Sequence, residues 1–115
     1  MISFEHAGVG GFGAIDVGAR YVPSWASECG RARIAFSSAT TVSALRCYAA
    51  RFYEGNLSYA QSSAEPARSR HINAANLYSS AYYIPQDNPG NTTSQNVAAM
   101  RVAVATADSV SAEAL

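Results

Sequence analysis

The chain has 115 residues, 49% of them apolar and 14% charged, which suffices for one domain with a core and excludes a natively unfolded polyelectrolyte. Its eight basic residues are all arginine and are matched by eight acids, so the formal net charge is zero. That balance lacks the basic excess on which phosphate neutralisation depends, and it favours association between copies over repulsion.

Residues 1–37 read as an extended or irregular arm, glycine-rich at Gly8, Gly10, Gly11, Gly13 and Gly18. A short strand is expected at Ile2 to His6, and a helical turn begins at Ser24. The following "RARIAF" suits a strand or the approach to the next helix. The opening "MISFEHAGVGGFG" has neither a basic n-region nor a continuous apolar h-region, so it does not read as a secretory signal. No apolar run approaches the roughly 18 residues of a membrane span.

Residues 38–115 read as a helical domain of about three helices, so the expected class is mainly α. In the first, Val42, Leu45, Tyr48, Ala49 and Phe52 recur at the three-and-four spacing of one helical face. Gly55-Asn56 marks an end or a kink, while Leu57 and Tyr59 carry a continuation to about Ala64. Arg46, Ala50 and Tyr53 drift to a second face, which suggests a helix with a core on one side and a partner on the other.

The second helix opens at Pro66, whose missing N–H is no loss in a first turn. Ile72, Ala75, Tyr78, Ala81 and Tyr82 follow one face, and Pro85 is expected to stop it. "PQDNPGN" is a turn. Thr92 with Gln95 then fits a capping box, followed by Val97, Met100, Val104, Ala107 and Val110 at helical spacing. Many of these faces carry alanine where leucine is usual, which forfeits roughly 1 to 2 kcal/mol of burial per position. Neighbouring subunits are one way to make that up.

The chemistry-bearing residues form no strong constellation. Gly8-Val9-Gly10-Gly11-Phe12-Gly13 matches G-x-G-x-x-G, and Glu28 follows at the spacing of a ribose-binding acid. The residues before it carry Glu5 and His6 where a buried strand would be apolar, so a glycine arm is the stronger reading. His6, His71, Cys29 and Cys47 could supply metal ligands, but none stand in the close pairs that zinc sites favour. Cys47 with His71 is a conceivable nucleophile and base, yet Cys47 sits mid-helix, away from the N-terminus that would lower its pKa. The two cysteines could form one disulfide, but two do not make a framework, and both are expected to be free, buried thiols. A G-x-S-x-G elbow is absent and the acids are scattered. The Asn56-Leu57-Ser58 and Asn91-Thr92-Thr93 sequons carry little weight beside helix capping.

Arg68-Ser69-Arg70-His71 is the densest positive patch, with Arg31 and Arg33 a second. With Tyr78, Tyr82 and Tyr83 nearby, RNA contact is the weaker alternative to a subunit contact. Tyrosine abundance, arginine without lysine and zero charge together point to a non-enzymatic structural or assembly subunit, of a viral shell, a filament or a larger complex. Its expected contacts are Tyr48, Arg51, Tyr53, Arg68, Arg70, Tyr78 and Tyr82, its expected partners copies of itself or other subunits, and no cofactor is expected. The alternative class is a small cofactor- or nucleotide-binding protein using the glycine loop.

Overall fold

The computed structural model describes residues 18–115. The expected strand at Ile2 to His6, His6 itself and the Gly8–Gly13 loop lie outside the described residues. A short helix α1 (Trp25–Cys29) and a single 3-10 turn (Phe36–Ser38) lead into three long helices, α2 (Val42–Ser62), α3 (Ala67–Asp87) and α4 (Thr93–Ala114). No strand occurs among the described residues, and residues 31–35 simply approach the 3-10 turn.

Local chemistry sets the helix ends. Thr41 Oγ1 accepts the Ala44 N–H at 3.1 Å, which caps α2. Glu65 does the same for α3, accepting the Ser69 N–H at 3.2 Å and its hydroxyl at 2.6 Å. Thr92 and Gln95 form the expected capping box, with bonds of 3.2 and 2.8 Å. Pro66 stands at the N-cap, one position before the helix it was expected to open. The Gly55-Asn56 pair neither ends nor splits α2, which runs on to Ser62.

One expected stop is wrong. Pro85 lies inside α3, which continues to Asp87. Proline removes one N–H and crowds the carbonyl four residues back, but so near the helix end only one intrahelical bond is forfeited. The Ile84 carbonyl still accepts the Asn88 N–H at 3.0 Å and closes the turn.

Residues 63–66 and 88–92 are too short for anything but antiparallel neighbours. α3 packs broadly on both α2 and α4, which meet each other along a narrower seam. The core couples small and large residues. Ala49, Ala50, Ala74, Ala75 and Ala81 are all fully buried and let the helices approach. Tyr48, Tyr53, Tyr78 and Tyr82, each at most 7% exposed, fill the layers between them. Tyrosine rings bury about 150–250 Å² each, so they restore area that the alanines lack.

Residues 18–41 lie across this bundle as a strap. Val22 and Ala39, both 0% exposed, plug into the core at its two ends. Between them, Cys29 of α1 and Cys47 of α2 are joined by a disulfide, their Cα atoms 5.8 Å apart. The expectation of two free thiols is therefore overturned. An interval of 18 residues is no signature in sequence, and only the return of the strap alongside α2 brings the sulfurs together. Closing a loop of that length stabilises a fold by about 3 kcal/mol, chiefly by restricting the unfolded chain.

Candidate functional site

The residues expected to form an outer contact divide sharply. Tyr48, Tyr53, Tyr78 and Tyr82 point into the chain's own core. The second face of α2, read as meeting a partner, is met by the strap. Ala50 and Tyr53 on that face are fully buried in one cluster with Val22. Arg51 is half-buried and donates to the Ile34 carbonyl at 3.3 Å, its guanidinium 4.5 Å from the Phe52 ring centroid. Arg46 stacks 4.1 Å over Tyr82.

The same inward use accounts for other charged groups. Arg101 donates to the carbonyls of Phe36 and Ala39 at 3.0 and 2.8 Å, so it clamps the 3-10 turn to α4. Arg20 forms a two-pronged pair with Asp87 at 3.1 and 2.9 Å and lies 3.8 Å over the Tyr83 ring. Arg31, Arg33 and Arg70 are exposed, Arg68 half-buried, and none of the four guanidinium groups has a hydrogen bond or ion pair among the described residues. Tyr78 and Tyr82 offer no ring face to a base beside Arg68 and Arg70, and Tyr83 is held by Arg20 and by its own bond to the Tyr21 carbonyl at 2.6 Å.

Most polar groups inside the bundle are partnered, the buried Asn76 Oδ1 being an exception. The Tyr48 and Tyr78 hydroxyls both donate to the Asp108 carboxylate, Tyr48 at 2.8 Å. Burial, then the bond to Asp108, pushes both phenols well above their ordinary range. Tyr82 donates to both Glu28 oxygens at 2.8 and 3.0 Å. Burial and that bond push it up to about 12. Phenols held so high are neither bases nor nucleophiles near neutral pH.

Where the three long helices meet, Asn56 Nδ2 donates to the Phe52 carbonyl at 2.8 Å, which leaves its Oδ1 as the acceptor. That oxygen takes bonds from His71 Nδ1 at 2.8 Å and Ser111 Oγ at 3.2 Å. His71 is 2% exposed, and burial lowers its pKa. It is a neutral structural donor, separated in role from Cys47, whose sulfur is committed to Cys29. No group of three or more metal-ligating side chains occurs among the described residues.

Asp108 escaped the sequence reading, as did the interior roles of Glu28, read only as a ribose-binding acid, and of Asn56, read only as a helix break or sequon. Asp108 left a trace, since it lies four residues after buried Val104 on the apolar stripe of α4. An acid in register with a buried stripe implies partners waiting inside.

Two surface features remain. A recess of about 340 Å³ opens over the disulfide, lined by Glu28, Cys29, Val42, Ser43, Arg46 and Cys47. The outward side of α4 presents Ala98, Val102, Ala105, Ser109 and Ala112 at alternating four- and three-residue steps. Val102 is 69% exposed, and no charged residue is exposed between Gln95 and Ala112. No protein-family model, curated protein or solved structure matches the chain.

Proposed function

We propose that the chain is a non-enzymatic assembly subunit, a disulfide-stapled helical block that packs on a second copy of itself through the outward side of α4. The observation that carries this reading is that uncharged side, with Val102 at its centre. Small side chains there permit close approach of a second helix, and no charge must be desolvated on contact. Zero net charge supports the same reading, since copies do not repel one another. The inward commitment of Tyr48, Tyr53, Tyr78 and Tyr82 and the internal partners of Arg46, Arg51 and Arg101 take these side chains out of the contact surface. Other subunits of a larger complex, a shell or filament among them, are the wider version of the proposal.

Light scattering across a concentration series tests it. The wild-type mass is expected to rise above the 12.1 kDa of one chain, and Val102→Glu to hold at 12.1 kDa with an unchanged melting transition. A wild-type chain that stays at 12.1 kDa throughout overturns self-association. An assembly that Val102→Glu leaves intact overturns the α4 surface.

A further inference from the structure

We propose that the Cys29–Cys47 disulfide is a reducible latch, opened by a small dithiol, that releases the α1 part of the strap from an otherwise intact bundle. Access comes first. Both half-cystines are half-buried, and both line the recess that opens to solvent. A reductant's thiolate entering there bonds to Cys29 Sγ, the S–S bond breaks, and its electron pair leaves on Cys47 Sγ. Arg46 precedes Cys47 in the chain and lines the same recess, and its guanidinium has no hydrogen-bond acceptor among the described residues. A neighbouring cation favours thiolate over thiol, and a more stable thiolate is a faster leaving group. The reductant's second thiol then attacks the mixed disulfide and frees Cys29. The dithiol ends oxidised to an internal disulfide, and its two electrons and two protons end on Cys29 and Cys47, the protons by way of water.

What the latch holds is separable from the rest. α1 contains no buried residue. The strap's two anchors do not depend on the disulfide. At one end Val22 is fully buried, and the Ser79 hydroxyl holds the Arg20 carbonyl at 2.8 Å. At the other, Ala39 is fully buried beneath the Arg101 clamp. Between the anchors, the polar ties left after reduction are those of Glu28 to Tyr82, Arg51 to Ile34, and Glu54 to the Ser24 side chain and Trp25 backbone. Water competes for each of these once the covalent tie is gone. Trp25, the single tryptophan of the chain, packs at the core's edge in α1 and reports on that release.

The test is titration of the native chain with dithiothreitol, without denaturant, followed by alkylation and mass spectrometry. Two thiols per chain are expected to appear together with a red shift of Trp25 emission, while far-UV helicity is retained. The double variant Cys29→Ser/Cys47→Ser is expected to show the red-shifted emission with no reductant present. Arg46→Gln is expected to slow reduction about threefold. Thiols that appear only in denaturant, or only as helicity collapses, overturn the latch. So does reduction that leaves Trp25 emission unmoved. A rate unchanged in Arg46→Gln overturns the part assigned to that side chain.

Discussion

The covered side of α2 and the bare side of α4 look reversed when their residues are compared. The α2 side carries tyrosine and arginine, the residues most at home in protein contacts, and the chain's own strap occupies it. The α4 side carries alanine, serine, threonine and one exposed valine, and nothing among the described residues covers it. Aromatic and guanidinium groups mark where large surfaces must be buried, whichever chain does the burying. Here residues 18–41 are long enough to do it internally. Small uncharged residues on a helix that needs no further packing mark what is left over.

The largest expected effect breaks the covered side. Tyr53→Ala empties a fully buried ring site between α2 and Val22 and is expected to cost about 4 kcal/mol in urea unfolding. Val102→Ala on the bare side is expected to change the same quantity by no more than about 0.5 kcal/mol. Equal costs would mean that the two sides are not covered and bare in the way described.

Next comes the tie that holds the cover in place. Cys29→Ser/Cys47→Ser is expected to lose about 3 kcal/mol in the same assay, by freeing the unfolded chain from its closed loop. Stability indistinguishable from wild type would leave the strap held by its anchors alone.

The smallest effects are read from pH. Burial lowers the His71 pKa in the folded chain, so unfolded chains take up the proton first. Stability is therefore full above the unfolded value of about 6.5 and declines as pH falls below it. His71→Gln is expected to flatten that slope in urea titrations between about pH 7 and pH 5. The phenols act with the opposite sign. Tyr82, at about 12, sits above the unfolded value of about 10, so stability is full below pH 10 and declines as pH rises past it. A wild-type chain equally stable at about pH 8 and pH 11 would break the assignment of these tyrosines to the interior.

Much of the frame was legible because it is local. The capping box at Thr92, the three-and-four stripes of α2 and α3, and the Asn88–Asn91 part of the expected turn, whose first three residues are helical, rest on interactions within a few residues. Pro85 itself was misread because the penalty for proline depends on how much helix follows it, and here almost none does. The candidate sites fared differently. Periodicity separates one helical face from another but does not say what lies against each, so Tyr48, Tyr53, Tyr78 and Tyr82 read equally well as core and as contact. Of the Arg68 and Arg70 pair, the structure leaves Arg70 exposed and Arg68 half-buried.

By itself, then, the amino-acid order determined the number of long helices, most of their limits and their alanine–tyrosine faces, since hydrogen bonds and side-chain periodicity act over a turn or two. The pairing of Cys29 with Cys47, the convergence of Tyr48 and Tyr78 on Asp108, and the covering of α2 by residues 18–41 were decided only by the tertiary structure. Each joins groups from separate elements, and nothing short of the packed chain brings them within bonding distance.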